Sequence, residues 1–510
     1  MMGSLTRSLQ RTKHAGWHLV IRCNAASTQT AEHGHSAALA VGANLGDRVS
    51  NIQEALRLLP AHDIQIVRQS RLYESAPAYV TDQPRFINAA VAVKTSLQPR
   101  QLLHALKKIE AELGREVGGQ RWGPRPLDLD IIFYDCISCD EDGLQVPHPR
   151  WHERSFVQAP VADLYAAGEL GTDSAAGQMA SPLEELHARW AQAGGERSLG
   201  GSDLGCVLPL PRIGMWPWQG RSQVMGILNV TPDSFSDGGQ LSSVEAAVAA
   251  ARQMVAAGAD MLDIGGQSTR PGADVLPAEV ELQRVLPVIR ALAEDKALQG
   301  VPLSIDTFYA NVAREAVAAG AHIVNDISGG SLDPDMHQEV ARLGVPYILM
   351  HMRGDPRTMS SREHTTYSDV CADVGRALQA SAEAAITSGI EPWRLILDPG
   401  IGFAKTAEGN WQLIAGLDRV RAQLKGPFHN APLLVGPSRK GFLGKVTGHE
   451  QAKDRDIASA AAAALCVSRG RGIAFGRIKT APNVKQSLVF KPQLSESSQS
   501  STLGPDFSRW

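Results

Sequence analysis

The sequence predicts an α/β chain of two folded units: a small α/β or α+β sandwich over residues 37–164, then a (β/α)8 barrel over residues 223–479. Three observations carry this. At 510 residues the chain exceeds what one hydrophobic core sustains. From Gln223 onward short apolar runs recur, each closing on a polar or glycine-rich tip, with helical patterns between them. Residues 165–222 separate the units and are dominated by Gly, Ala and Ser, as a linker or insertion would be.

The first unit opens on a strand-like run, Ala38 to Gly42. A helical stretch spans Asn51 to Leu59, and the alternation Ile64 to Val67 follows. Next come a strand from Phe86 to Val93, an amphipathic helix from Pro99 to Leu113, and an acid-bearing strand from Leu127 to Tyr134. Within the linker, Ser181 to Glu184 has a capping-box start. In the second unit, successive runs end at Asn229, Asp263, Asp306, Asn325-Asp326, His351, Asp398 and Gly436, and the last, Ile473 to Phe475, leads to Arg477. Eight β–α repeats in about 250 residues are the pattern of a barrel whose active site lies at the C-terminal strand ends. A doubly wound sheet is the rival, but no Gly-rich dinucleotide turn follows the first strand. Residues 480–510 are Ser- and Pro-rich without helical periodicity and are expected to form an atypical, disordered tail.

Composition narrows the partners. The formal net charge is −3 with no long basic run, so neither nucleic acid nor a membrane surface is expected. No stretch reaches the roughly 20 apolar residues of a membrane helix. Cys136 and Cys139 have CxxC spacing, but no second pair completes a zinc site, so they read as structural. The first acidic residue is Glu32, preceded by Arg7, Arg11, Lys13 and Arg22 among Ser and Thr. Residues 1–36 therefore have the composition of an organellar transit segment, with a mitochondrial destination expected and plastid or cytosol as alternatives.

Asp128 and Asp130 sit two apart in a strand, so their carboxylates share one face. A divalent cation relieves such crowding, and Mg2+ takes one or two carboxylates plus phosphate oxygens. A solvated edge strand fits the pair equally well. Arg115, Arg121 and Arg125 before the acids, and His148, Arg150 and Arg154 after them, supply what a polyphosphate requires. No Walker A loop is present. These residues resemble 6-hydroxymethyl-7,8-dihydropterin pyrophosphokinase from about Leu39 to Leu164. The resemblance rests on Gly42-Ala43-Asn44-Leu45, Asp82-Gln83-Pro84, Phe86 to Val91, Arg121 to Asp130 and Val146-Pro147-His148-Pro149. It implies a ferredoxin-like α+β fold and transfer of pyrophosphate from ATP to the hydroxymethyl group of the pterin. Asp128 and Asp130 would hold Mg2+, with Arg115, Arg125, His148 and Arg154 facing the triphosphate. Asn88 would hydrogen-bond the pterin, Phe86 and Phe156 would stack on it, and Trp122 would line the same pocket. Ser75-Ala76-Pro77 stands where the family often has Thr-Pro-Pro.

In the second unit, Asn229 to Gly239 forms a polar tip able to close over a ligand, and Gly265 to Gly272 offers backbone N–H groups, hydroxyls and an arginine. These loops resemble dihydropteroate synthase over about Gln223 to Val467. The resemblance implies that p-aminobenzoate displaces pyrophosphate from the activated pterin. Asp306, Asn325, Asp398 and Lys440 would line the pterin pocket, where carboxylates and an amide suit an aminopyrimidinone ring. Asn229 would touch Mg2+ on the leaving pyrophosphate, with Thr269, Arg270 and Arg477 holding its oxygens. Pro271, Phe403 and Ser438 would frame p-aminobenzoate, and Met350 and Met352 are core or pterin-side packing residues. The family ends its last strand on Arg-x-His; here Arg477-Ile478-Lys479 stands there. Homo-oligomerisation through barrel helices is also implied. The alternative is an active kinase fused to a catalytically weak pterin-binding barrel.

Overall fold

The computed structural model describes residues 34–116, 122–165, 186, 188, 203–219, 221–230 and 244–469, and the backbone of 473–478. The expected transit segment, the capping-box helix of the linker, the loop after Val230 and the C-terminal tail lie outside these residues.

In the first domain, β1 (His35–Ala43) is followed by α1 (Arg48–Leu58), β2 (Ile64–Gln69), β3 (Leu72–Ser75) and β4 (Phe86–Thr95). Then come α2 (Pro99–Glu112), β5 (Asp128–Tyr134), a small hairpin of β6 (Cys139–Glu141) and β7 (Leu144–Val146), and α3 (Ser155–Leu164). The sheet is antiparallel, in the order β5-β1-β4-β3, with β2 also pairing β4. Strand alternation separates two packing faces. Leu39 and Val41 of β1 turn to α1 and α2, meeting Ile52, Leu102, Leu106 and Ile109. Ala38, Ala90 and Ala92 turn the other way, and their small side chains let Val157 and Val161 of α3 come close. Asp47 starts α1 by accepting from the Ser50 N–H at 3.1 Å.

The sheet continues into the range assigned above to a linker. Here β8 (Leu204–Leu210) pairs with β3, and β9 (Gly214–Pro217) pairs with β8. Leu204, Cys206, Leu208 and Leu210 alternate along β8 and bury one common face. Residues 203–219 are therefore part of the folded body.

The barrel strands are β10 (Gln223–Asn229), β11 (Met261–Gly265), β12 (Leu303–Asp306), β13 (Ile323–Asp326), β14 (Tyr347–Met350), β15 (Leu395–Asp398), β16 (Leu433–Val435) and β17 (Ile473–Ile478). All pair in parallel and close the barrel in chain order, β17 returning to β10. Around it lie α4 (Val244–Ala256), α5 (Ala278–Glu294), α6 (Ala310–Ala319), α7 (Met336–Leu343), α8 (Arg362–Thr365), α9 (Val370–Thr387), α10 (Ala407–Ala415), α11 (Leu417–Arg421), α12 (Gly441–Thr447) and α13 (Asp456–Arg469). The two-residue period of each strand separates floor from mouth. Met225, Met261, Ile323, Ile348, Ile396 and Leu434 pack with β8 and Trp218 at the N-terminal end. Asn229, Asp263, Asn325, Met350 and Asp398 lie an even number of residues further along the same strands, so they share the inward face at the C-terminal end.

The two domains thus meet where the barrel floor rests on the first sheet. A buried ion pair of the first domain lies at this seam: Arg71 Nε is 3.2 Å from Asp163 Oδ2, and the side chains are 3% and 1% exposed. The Arg71 guanidinium stacks 5.1 Å from the Trp218 ring, and Asn430 of the barrel donates to Asp163 Oδ1 at 3.3 Å. Trp393, just before β15, enters the apolar core of the first domain.

Candidate active sites

In the first domain, β5 starts on Asp128 and brings Asp130 round to the same wall. Asp128 receives Arg115 Nη1 at 2.6 Å and Arg125 Nη1 at 3.1 Å. Burial raises its pKa, but Arg125 and Arg115 prevail and hold it below the usual value. Asp130 has His148 Nε2 at 4.0 Å, and burial, reinforced by the adjacent Asp128, raises it. His148 is lowered by burial, with Asp130 opposing. Two like side chains are thereby driven apart by their surroundings.

A residue the sequence reading passed over organises this wall. Glu110, buried near the end of α2, accepts from the Leu129 N–H, Lys107 Nζ and Arg115 Nη1, each at 2.7 Å. It fixes the backbone between the two aspartates and one arginine at once. An acid continuing the buried stripe of Leu102, Leu106 and Ile109 was the available signal.

Two cavities share this wall. One is lined by Gly42, Ser75, Tyr79, Phe86, Asn88 and Phe156. The other is lined by Lys107, Glu110, Arg115 and His148. Trp122, Arg125, Asp128, Asp130 and Arg154 border both. The Asn88 amide donates to Ser75 Oγ at 2.9 Å and to the Tyr73 carbonyl at 3.3 Å, so the serine of Ser75-Ala76-Pro77 helps orient it. Tyr79, also missed, stacks 5.0 Å from Trp122 and 4.6 Å from the Arg150 guanidinium, and accepts from Arg154 Nε at 3.2 Å. Arg121 lies outside the described residues.

At the barrel mouth, Gly265 lets neighbouring tips converge. A Cβ there would stand 3.3 Å from Asn229 Oδ1 and 3.6 Å from the Asp306 carboxylate. Asn325 donates to Asp263 Oδ2 at 3.0 Å, which adds a third buried acid to the expected Asp306 and Asp398. The adjoining Asp326 is structural: Ser328, Gly330 and Tyr347 donate to it, each at 2.7 Å. Asp398 accepts from the Gly400 N–H at 2.7 Å, and Lys440 Nζ lies 3.8 Å over the Phe403 ring. Phe403 packs with Phe308, Ile327, Met350 and Met359. Ser438 precedes Arg439, whose guanidinium is committed to Asp456 at 2.6 and 3.0 Å. Thr269, Arg270 and Pro271 stand on the loop after β11, where Arg270 and Pro271 are exposed. The Arg477 side chain lies outside the described residues.

Two further ionisable groups flank this mouth. Burial pushes the Lys405 ammonium down to about 7, with Asp398 opposing and Lys440 and Arg353 adding to the fall. Glu281 of α5 is fully buried, accepts from Gln267 at 2.5 Å, and is pushed by burial up to about 8. Because the folded value exceeds 4.5, protons are bound more tightly in the folded state, so stability is full below about 4.5 and falls as pH rises through 8. Glu281→Gln should therefore stabilise the barrel at pH 8 to 9 by roughly 2–4 kcal/mol and flatten the decline of Tm with pH, as read by calorimetry across pH 6 to 9. An unchanged slope would mean that Glu281 does not titrate there.

An acid pair among arginines beside an aromatic pocket, joined to a barrel with carboxylates at its mouth, defines a two-domain pterin-handling transferase. Residues 38–166 match the family model for 7,8-dihydro-6-hydroxymethylpterin-pyrophosphokinase, and residues 225–478 match the model for pterin binding enzymes. The chain is 47% identical over 436 residues to the mitochondrial folate synthesis bifunctional protein of Pisum sativum, covering 84% of each. It is 44% identical over 443 residues to a folate synthesis bifunctional protein of Arabidopsis thaliana, covering 85% of this chain and 91% of that one. The barrel is similar to the crystal structure of Yersinia pestis dihydropteroate synthase in a sulfonamide drug complex, at 38% identity and a TM-score of 0.50, covering 55% of this chain and 96% of that one. The chain belongs to the family of bifunctional folate synthesis proteins.

Proposed function

We propose that the first domain transfers pyrophosphate from ATP to 6-hydroxymethyl-7,8-dihydropterin, and that the barrel condenses the product with p-aminobenzoate. 7,8-Dihydropteroate and pyrophosphate are released. The observation that carries this most directly is the wall of Asp128 and Asp130 between an aromatic cavity and a cationic one. Pterin fits the first, between Phe86 and Phe156 with Asn88 at its edge, and Trp122 bordering it. ATP phosphates fit the second, facing Arg115, Arg125, His148 and Arg154. The hydroxymethyl oxygen then lies beside the acids, within reach of the β-phosphorus, and AMP leaves.

The donor set suits Mg2+. Two carboxylates share a face, and among the described residues no group of three or more His, Cys, Asp or Glu is gathered to hold a metal unaided, so phosphate oxygens and water would complete the shell. Mg2+ held by Asp128 and Asp130 would neutralise phosphate charge. Arg115 and Arg125, paired with Asp128 here, would then be free to turn to phosphate oxygens.

In the barrel, Asp306, Asn325 and Asp398 offer the acceptors and amide that an aminopyrimidinone ring needs, and Lys440 adds a cation beside them. Thr269, Arg270 and Arg477 would stabilise the departing pyrophosphate, with Asn229 near its Mg2+, while Pro271, Phe403 and Ser438 frame the arylamine. Catalysis on this reading is positioning plus leaving-group stabilisation. Residues 37–164 with 203–219 form the kinase body and residues 223–479 the synthase. Exposed Val446, Ile457 and Leu465, at 68%, 84% and 45%, make α12 and α13 a natural contact for a second copy. A mitochondrial destination is supported by the acid-free N-terminus and the named pea relative.

A coupled assay tests this. The whole chain, supplied with ATP, hydroxymethyldihydropterin, p-aminobenzoate and Mg2+, should form dihydropteroate, and adding EDTA should stop its formation. Pterin pyrophosphate accumulating without dihydropteroate would instead identify the barrel as a weakly catalytic scaffold.

A further inference from the structure

The turn between β15 and α10 is held in an unusually constrained shape. Gly400, Gly402 and Ala404 have φ of +69°, +83° and +49°, and at Ala404 that conformation costs free energy a glycine would not lose. The turn is also clamped between neighbours. A Cβ on Gly400 would stand 2.1 Å from the His351 carbonyl oxygen, and one on Gly402 would stand 2.7 Å from Lys440 Cδ.

The group that spans this turn is Lys405. Its Nζ donates to the Gly400 and Phe403 carbonyls, both at 2.9 Å, and lies 3.1 Å from His351 Nδ1. As an ammonium, Nζ gives all three hydrogens to these three acceptors. As an amine, it gives two and accepts the third contact from a His351 tautomer protonated at Nδ1. All three contacts are therefore kept in either protonation state, and its bonding capacity is used within the protein. Tyr367 reinforces the far side, its hydroxyl donating to the Ala404 carbonyl at 2.9 Å.

We infer that Lys405 is a positioning residue of the synthase reaction, stapling the 399–406 turn so that Asp398 and Phe403 face their two substrates at once. This rests on the assignment of Asp398 to the pterin and Phe403 to the arylamine. The two ends of the turn are not held equally. Asp398 is fixed by β15 and by the Gly400 N–H, whereas the backbone of Phe403 lies beyond two left-handed glycines and is held from Lys405 at its carbonyl and from Asn410, which accepts from the Gly402 N–H. Losing the staple should therefore disturb the arylamine subsite first.

The test is steady-state kinetics of the whole chain on supplied pterin pyrophosphate and p-aminobenzoate. Lys405→Met keeps the stem and removes the donors. It should raise KM for p-aminobenzoate roughly tenfold, the worth of one hydrogen bond from a charged group, with kcat and KM for pterin pyrophosphate changed less than about threefold. Tyr367→Phe, a gentler change on the same turn, should move the same constant by roughly threefold, which keeps the inference testable if the first variant folds poorly. Unchanged kinetics in both variants, or equal rises in both KM values, overturn it. A large fall in kcat with both KM values intact would also overturn it, because Lys405 would then act at the reacting atoms. Asp398→Asn serves as the separate check. If it weakens pterin pyrophosphate while the turn variants do nothing, only the role of Lys405 falls; if it too does nothing, the underlying site assignment falls.

Discussion

Asp128→Asn should abolish ATP-dependent formation of pterin pyrophosphate, by a hundredfold or more on the order of what a lost transition-state electrostatic contact costs, while dihydropteroate still forms from supplied pterin pyrophosphate. Asp128 and Asp130 are the carboxylates on the wall shared by the two cavities, and Glu110 locks the backbone between them. An amide keeps the shape of the side chain but not the charge that a cation needs. The arginines are also affected, because Arg115 and Arg125 converge on Asp128 and lose the anion that orients them. Asp130→Asn should give the same split. Separate assays of the two half-reactions check this, with far-UV circular dichroism confirming the fold. Loss of both reactions in a folded variant would contradict two independent sites.

Asp163→Ala at the domain seam should be the most destabilising single change described here. Asp163 and Arg71 are buried at 1% and 3% exposure, and the variant strands a guanidinium beside Trp218. Breaking a buried pair from one side typically costs about 3–5 kcal/mol. The Asn430 amide would lose its acceptor too. Because Asp163 of the first domain also accepts from Asn430 of the barrel, Tm should fall by several degrees and the two activities should be lost together on warming. Asp163→Ala combined with Arg71→Met should recover part of the loss, since no unpaired charge remains. An unchanged Tm in the single variant would show that the seam is held by apolar packing alone.

Much of this architecture was legible in the residues. The barrel announced itself because short apolar runs recur, each closing on a polar or glycine-rich tip, and a two-residue period then carries the tips of most of them onto one inward face. The acid pair of β5 was legible for the same reason. What escaped were groups whose partners come from elsewhere in the chain. Glu110 gains its meaning only when α2 packs on β5, Lys405 only when its turn folds back on His351, and Asp263 only when Asn325 reaches it across two strands. Strands β8 and β9 were hidden by the Gly-, Ala- and Ser-rich region around them, although Leu204, Cys206, Leu208 and Leu210 alternate as a half-buried strand should. Arg477 was readable as a strand end, and the structure places it in β17.

The docking of the first sheet against the barrel floor has a consequence for traffic. The floor is filled by β8, Trp218 and the inward methionines and isoleucines, while the synthase tips open at the opposite end. Among the described residues, the barrel axis is therefore packed shut on the side that faces the first domain. Fusion in this chain guarantees equal numbers of the two catalysts and a shared lifetime for both.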